Sequence, residues 1–244
     1  MENILTGKTI LITGGTSRLG REFIRRAIPQ GATIFFTYHT HQDAANSLIQ
    51  MGASGFQLDL SNFRAIDDFA EWCQTHIRGL DGLIHNAATN RDALLQNMSE
   101  KDWDFVLDVD LKAPYYLTQK LLPLLRKDPV SKILMMTSRL AFHGGVGVSN
   151  YAAAKAGMIG LMRSLAQELG KKKILVNAVN PGFMKSPMTE PLPGDVIQKN
   201  LQASLIGAVS NPEEVADFLI YLLSDRMSQV TGQVFHFESR YLYE

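Results

Sequence analysis

Short runs of β-branched and apolar residues alternate with longer stretches of helical pattern along the whole chain, and this rhythm limits the folds open to it. The strand-like runs are, in order, KTILIT, ATIFFTY, GFQLDL, DGLIHNA, KILMMTS, ILVNAVN and QVFHF. The helical stretches cover 19–30, 41–51, 62–76, 100–126, 150–169 and 212–224. Strands separated by helices need crossover connections, which are nearly always right-handed and give a parallel sheet. The sequence therefore predicts an α/β fold: a doubly wound parallel sheet of seven strands with helices on both faces.

Composition and charge restrict the function further. Residues 1–244 are interpreted as one domain, because no low-complexity linker interrupts the alternation. Basic and acidic residues number 24 each, so a net charge of zero gives no general attraction to nucleic acid or to an anionic membrane. No leader-like segment or long apolar run is present, which predicts a cytoplasmic protein. Cys73 is the single cysteine, which excludes an intrachain disulfide and leaves it either packed or on a helix surface, and no metal site is predicted.

The segment TGGTSRLG follows the first strand and precedes a helical run. Glycines permit a tight turn, and the N-terminus of the next helix offers free N–H groups and a positive dipole end to a pyrophosphate. The residues predicted to bind are Gly14, Thr16, Ser17, Arg18, Leu19 and Gly20. Two interpretations of Arg18 remain open: its guanidinium reaches a phosphate, or it is solvated at the helix start.

The end of the second strand, TIFFTYHTHQ, indicates which dinucleotide is preferred. NAD-binding folds usually place an acidic residue here to bind the ribose hydroxyls, and this chain has Tyr38 instead. Without a carboxylate to repel a 2′-phosphate, NADP(H) is the predicted cofactor. His39 is either a phosphate ligand or a solvated loop residue.

Tyr151 and Lys155 are four residues apart in a sequence of strong helical composition, so both side chains project from one helix face. A tyrosine hydroxyl is a poor base at neutral pH, but a neighbouring ammonium favours the phenolate, and the pair becomes a general acid–base group. Ser138, at the end of the fifth strand, is placed to donate a hydrogen bond to a substrate carbonyl oxygen. Isolated YxxxK matches are common, and such a tyrosine usually only packs its ring.

Taken in chain order, these motifs resemble the short-chain dehydrogenase/reductase family. The glycine turn is similar to that family's TGxxxGxG, with Arg18 in place of the middle glycine, a feature shared with pteridine reductases. The resemblance implies a Rossmann-type fold and a catalytic serine about a dozen residues before the tyrosine, as Ser138 stands here. It also implies cofactor contacts at several strand ends: Asp59, Leu60, Asn86, Ala87, Ala88, Tyr151, Lys155, Pro181, Gly182 and Met184.

Asp110 departs from that resemblance. The run WDFVLDVDL is similar to the family's WDxVxxVNL, in which an asparagine at this position helps to hold a water that links the lysine to solvent. A carboxylate here is expected to raise the pKa of Lys155, weaken its effect on Tyr151 and shift the pH dependence upward. The alternative is a solvated or helix-bend aspartate with no electrostatic effect.

NYAAAKAGMIGL and VNAVNPGFMKSPMT resemble 3-oxoacyl-[acyl-carrier-protein] reductases in particular. This implies an NADPH-dependent carbonyl reductase acting on a 3-oxoacyl thioester or related small molecule, either free or bound to the carrier. The basic residues that would contact an acidic carrier are Arg126, Lys127, Lys171, Lys172 and Lys173. The alternative, and the more common case, is that lysines at the end of a helix only interact with the negative end of its dipole. The alternatives are a pteridine-type or other small-ketone reductase and a non-catalytic NADP-binding protein.

Two segments bear on substrate and assembly. Residues 181–207 are expected to form a substrate lid, or else a surface loop with a short helix. The resemblance implies a homo-oligomer, a tetramer or dimer. The chain ends with bulky residues where many members pack small ones across a two-fold axis: Arg240, Tyr241, Leu242 and Tyr243. This tail either alters that interface or folds over its own subunit.

Overall fold

The computed structural model describes residues 3–125, 130–184, 189 and 194–240. Seven strands form one parallel sheet in the order β3-β2-β1-β4-β5-β6-β7. They are β1 Thr9–Ile12, β2 Thr33–Tyr38, β3 Ser54–Gln57, β4 Gly82–His85, β5 Ser131–Met136, β6 Ile174–Asn180 and β7 Val234–His236. The predicted doubly wound sheet is confirmed.

Helices cover both faces of the sheet. They are α1 Arg18–Ala27, α2 Gln42–Gln50, α3 Phe63–His76, α4 Glu100–Leu107, α5 Ala113–Leu121, α6 Leu140–His143, α7 Ser149–Gly170, α8 Gly194–Ala203 and α9 Pro212–Leu223. The alternation of side chains along the strands divides the apolar interior in two. In β1, Ile10 and Ile12 face the core that includes α1 and α9, and Leu11 faces the core that includes α3, α5 and α7.

The helical stretch predicted around 100–126 is divided into several shorter elements. Within the described residues, α4 is followed by a π-helical turn, Asp108–Lys112, and then by α5. Pro114 lies in the first turn of α5 and has no N–H, so the Asp110 carbonyl cannot receive the ordinary helical bond. The wider turn changes which face of the chain points inward, and Asp110 is buried.

Two short helices were not in the predicted set. The helix α6 follows Ser138, and α8 lies in the expected lid, where a short helix was one of the alternatives. Of that lid, residues 185–188 and 190–193 are outside the described residues, as are Arg126, Lys127, Tyr241, Leu242 and Tyr243. Cys73 is buried in the core, so it is a packing residue. In the described part of the chain, no helix is long and apolar enough to cross a membrane.

Candidate active site

A cleft of about 510 Å³ opens at the carboxyl ends of the strands, where parallel α/β sheets bind their ligands. The sequence-predicted residues that line it are Gly14, Thr16, Ser17, Arg18, Leu19, Tyr38, His39, Asp59, Leu60, Asn86, Ala87, Ala88, Tyr151, Lys155, Pro181 and Met184. The structure thus brings together residues from five strand ends and from the start of α7. The other four predicted site residues do not line this cleft: Gly20, Asp110, Ser138 and Gly182.

The glycine turn is packed too closely for side chains. Gly14 has a φ of +65°, and a Cβ added to it would lie 2.8 Å from Ala87 Cα. A Cβ on Gly20 would lie 2.6 Å from the Gly14 carbonyl oxygen. Asn86 fixes the turn to β4, because its Nδ2 donates to the carbonyls of Thr13 and Gly14, each over 3.0 Å. The glycines therefore allow the turn to pack closely against the end of β4 and the start of α1.

Ser17 begins α1 as its N-cap. Its Oγ accepts from the Gly20 backbone N–H over 3.1 Å and from Asn86 Nδ2 over 3.1 Å. Arg18 is exposed at the cleft rim, as expected for either of its two interpretations.

At the end of β2, the hydroxyl of Tyr38 donates to Gln42 Oε1 over 2.9 Å. His39 Nε2 lies 3.9 Å from Asp59 Oδ2, and both side chains are exposed. Asp59 also accepts hydrogen bonds from the Ser61 N–H and hydroxyl. Partial burial alone would raise the pKa of Asp59, but these bonds and His39 lower it overall. The acidic residue at this end of the cleft is therefore Asp59, which follows β3, and no acidic residue directly follows β2.

Tyr151 and Lys155 occupy the first two turns of α7 and face the opposite end of the cleft. Lys155 Nζ lies 5.4 Å from the centre of the Tyr151 ring and donates to the Met136 carbonyl over 3.2 Å. Ser138 lies close enough to Tyr151 for its hydroxyl to lower the pKa of the tyrosine. The helix spacing and the end of β5 thus bring the hydroxyls of Ser138 and Tyr151 close to the ammonium of Lys155.

Asp110 lies directly beneath this group. Its Oδ2 is 3.2 Å from Lys155 Nζ, and the two side chains are 0% and 2% exposed. Its Oδ1 accepts from the Thr89 backbone N–H over 2.8 Å. The solvated-aspartate alternative is therefore wrong, because Asp110 is buried in an ion pair with the lysine.

Burial raises the pKa of Tyr151, the Lys155 ammonium lowers it and the Asp110 carboxylate raises it, with the net pKa above its ordinary value. Burial alone would lower the pKa of Lys155, but Asp110 and the tyrosine raise it. The pKa of Asp110 is itself raised by burial, against the opposing effects of Lys155 and Thr89. The tyrosine is accordingly held in its protonated, proton-donating form.

Sequence reasoning missed several residues at the same strand ends. The Thr137 hydroxyl donates to the Lys155 carbonyl over 3.0 Å, and Thr89 holds Asp110. The other cleft residues that were not predicted as ligands are Thr37, Thr40, His41, Leu58, Asn90, Val109 and Met136. Except for Val109 in the π turn, they lie at the end of a strand or in the loop after it, which was the available signal.

The lysines proposed for carrier contacts lie far from the chemistry. Lys171, Lys172 and Lys173 follow the last turn of α7, whereas Tyr151 is in its first turn. A helix of 22 residues is about 33 Å long, so these lysines stand at the opposite edge of the sheet from the cleft. They are not part of the cleft of their own chain.

Comparisons with known proteins agree with this geometry. A family model described as enoyl-(acyl carrier protein) reductase matches residues 14–239. The chain is 37% identical to the 3-oxoacyl-[acyl-carrier-protein] reductase FabG of Thermotoga maritima, over 94% of this chain and 96% of that protein. It is 35% identical to the enzyme of the same name from Aquifex aeolicus, with 97% and 98% covered.

Among solved structures, the Pseudomonas aeruginosa RhlG/NADP active-site complex superposes with a TM-score of 0.89 at 26% identity, covering 97% of each chain. BdcA in complex with NADPH gives 0.87 at 28% identity, covering 97% of this chain and 95% of that one. The fold and cleft define a dinucleotide-binding oxidoreductase. The chain belongs to the short-chain dehydrogenase/reductase family, and the enzyme class predicted from the sequence is confirmed.

Proposed function

We propose that this protein is an NADPH-dependent carbonyl reductase that converts a 3-oxoacyl thioester, or a closely related ketone, to its 3-hydroxy product. The observation that carries the proposal is the grouping of Ser138, Tyr151 and Lys155 at one end of a cleft whose other end has no acid after β2. The relatives named 3-oxoacyl-[acyl-carrier-protein] reductase support the choice of substrate.

The cleft residues fit NADP(H). The N-terminus of α1 and the Ser17 hydroxyl line the cleft beside the glycine turn and suit a pyrophosphate. Arg18, His39 and His41 line the cleft and offer donors to a 2′-phosphate, and no carboxylate directly follows β2. When bound, the cofactor supplies the hydride.

In the mechanism that we propose, Ser138 and Tyr151 orient the substrate carbonyl by donating hydrogen bonds to its oxygen. The tyrosine hydroxyl transfers its proton to that oxygen as negative charge develops on it. Lys155, held by Met136 and Asp110, stabilises the phenolate that remains. Asp110 limits that stabilisation, because it neutralises part of the lysine charge.

Exposed apolar side chains beside the chemical end of the cleft support an acyl substrate. The Ala93 N–H donates to the Gly147 carbonyl over 2.9 Å, which joins the loop after β4 to the segment before α7. Leu95 and Val146, next to this contact, are 79% and 89% exposed. Such exposed apolar groups, one on the segment that leads into the helix of Tyr151 and one on the loop joined to it, suit a hydrocarbon chain.

Attachment of the substrate to an acyl-carrier protein and a homo-oligomeric state, tetramer or dimer, are further parts of the proposal, as is a cytoplasmic location. Because Lys171–Lys173 stand at the wrong edge of the sheet for the cleft of their own chain, they would serve a carrier only at the cleft of a neighbouring copy.

The test is consumption of NADPH or NADH with an acetoacetyl thioester, a crotonyl thioester, a dihydropterin and a simple ketone. We expect turnover of the acetoacetyl thioester with NADPH. Tyr151→Phe should lower its kcat by about 10²–10⁴-fold, the usual loss of a general acid, while NADPH still binds. Lys172→Glu should weaken turnover of the carrier-bound substrate alone.

Other outcomes would replace the proposal. Preferred turnover of the dihydropterin would favour a pteridine-type reductase, to which Arg18 in the glycine turn points. Reduction of the crotonyl thioester alone would indicate that the protein reduces a C=C bond, as the description enoyl-(acyl carrier protein) reductase implies. Tight NADPH binding without turnover of any substrate would show a non-catalytic NADP-binding protein. An equal effect of Lys172→Glu on free and carrier-bound thioesters would remove carrier docking at these lysines.

A further inference from the structure

Four residues after the last strand, Phe237–Arg240, here called the C-terminal strap, contact the lid segment. The Leu205 N–H, just after α8, donates to the Ser239 carbonyl over 2.8 Å. The hydroxyls of Ser204 and Ser239 are 2.7 Å apart. The strap therefore holds the C-terminal end of the lid helix.

The same strap contacts the other end of the lid segment. Ser210 Oγ donates to the Phe237 carbonyl over 3.2 Å, and the Ser210 N–H donates to the Phe183 carbonyl over 2.8 Å. Gly182 has a φ of +76°, and a Cβ added there would lie 2.4 Å from the Phe237 oxygen. The adjoining Pro181 and Met184 line the cleft. Both ends of the lid segment thus meet on the strap.

A buried ion pair organises these contacts. Arg240 Nε donates to Glu238 Oε1 over 2.8 Å and Nη2 to Oε2 over 2.6 Å, with side chains that are 8% and 3% exposed. The guanidinium also donates to Asn200 Oδ1 in the middle of α8 and lies 5.8 Å from the centre of the Phe183 ring. Glu238 Oε1 further accepts the N–H groups of Ser239 and Arg240, which fixes the turn of the strap.

Such a bidentate pair keeps one geometry, because moving the guanidinium would leave a charge buried and unpaired. We propose that Arg240 and Glu238 are positioning residues that hold α8 and the stretch from Pro181 to Met184, whose two end residues line the cleft, in one arrangement and thereby set the affinity for the carbonyl substrate. This inference rests on the proposed function for its kinetic part. The attachment of α8 to the strap is independent of it.

Arg240→Met keeps the apolar stem of the side chain and removes its donors. We expect amide hydrogen exchange in 194–205 to rise about tenfold, since a charge-assisted hydrogen bond no longer holds the helix. The KM for the carbonyl substrate should rise by a similar factor, with kcat and the dissociation constant of NADPH little changed. Arg163→Met, on the exposed face of α7, is the matched control and should change none of these.

Arg240→Met alone leaves the Glu238 carboxylate buried without its cation. The double variant Glu238→Gln with Arg240→Met removes that charge as well, and it should show the same hydrogen exchange in α8 as Arg240→Met. Exchange in β5 reports whether the fold itself has loosened. Unchanged exchange in 194–205 would overturn the attachment, whether or not a substrate is turned over. Faster exchange with an unchanged KM would overturn the positioning role. Absence of turnover in the unmodified protein would instead count against the proposed function, and exchange would still decide the attachment.

Discussion

At the residue scale, the charge balance around Tyr151 distinguishes this site. The carboxylate of Asp110 contacts Lys155 at 3.2 Å inside the protein, and its other oxygen binds the Thr89 N–H. An asparagine could keep the second contact, but its amide would place a donor against the ammonium. The lysine therefore stabilises the phenolate less than it would without a buried negative partner.

Asp110→Asn should shift the pH dependence of ketone reduction downward. Reduction needs protonated Tyr151, so its rate falls as pH rises through the pKa of that hydroxyl. The Asp110 carboxylate raises this pKa, and removing its charge moves the fall to lower pH. The measurement is kcat/KM against pH for wild type and variant. Asp108→Asn is the control, since that aspartate is in the same π turn but pairs with exposed Lys112. Identical pH profiles for Asp110→Asn and wild type would show that Asp110 does not set the pKa of Tyr151.

At the element scale, the end of α9 is held by a lysine from the sheet. Lys132 in β5 is 2% exposed, and its Nζ donates to the carbonyl of Leu223 over 3.2 Å and to that of Ser224. Both carbonyls lie where the helix ends, and that of Ser224 also accepts the Met227 N–H over 3.2 Å. A cation at a helix C-terminus also meets the negative end of its dipole. The long-range contact, not the local sequence, fixes where α9 meets the sheet.

Lys132 should make the protein more stable as pH rises from about 8 to 10.5. Burial lowers its pKa to about 8, with Lys8 adding repulsion and Asp225 opposing it. Between the two pH values the unfolded chain binds the proton and the folded chain does not, so unfolding becomes less favourable with pH. Relative to Lys132→Met, wild type should gain up to about 3 kcal/mol in urea unfolding over this range. Lys101→Met, on the surface, should show no such trend; a pH-independent difference for Lys132→Met would contradict the assignment.

At the scale of the whole molecule, one buried histidine connects the sheet to its helices. His85 in the central strand β4 is 2% exposed, and its Nε2 is 2.7 Å from the Thr118 hydroxyl of α5. Burial lowers its pKa to about 3, and the Lys155 ammonium adds to the effect. Folding therefore requires the neutral imidazole at the centre of the protein.

Acid should destabilise the whole fold through His85. The unfolded histidine binds a proton below pH 6.5 and the folded one does not, so stability falls as pH drops from 6.5 towards 3. From pH 6.5 to 5 the loss is about 2 kcal/mol in the free energy of unfolding. His85→Gln, which keeps a polar partner for Thr118, should abolish this part of the acid sensitivity. His76→Gln on the surface of α3 is the control, and equal acid slopes for His85→Gln and wild type would refute the role.

The local pattern of the chain was enough to predict the seven strands and the main helices between them, the parallel sheet, and the meeting of Ser138, Tyr151 and Lys155 at its carboxyl edge. Periodicity and helix spacing are properties of neighbouring residues, and parallel strands bring their ends together in any chain of this type. Only the tertiary structure decided that Asp110 is buried against Lys155, that Lys171–Lys173 stand away from the cleft, and that Arg240 fastens α8. These facts depend on burial and on charges far apart in sequence, which no local pattern contains.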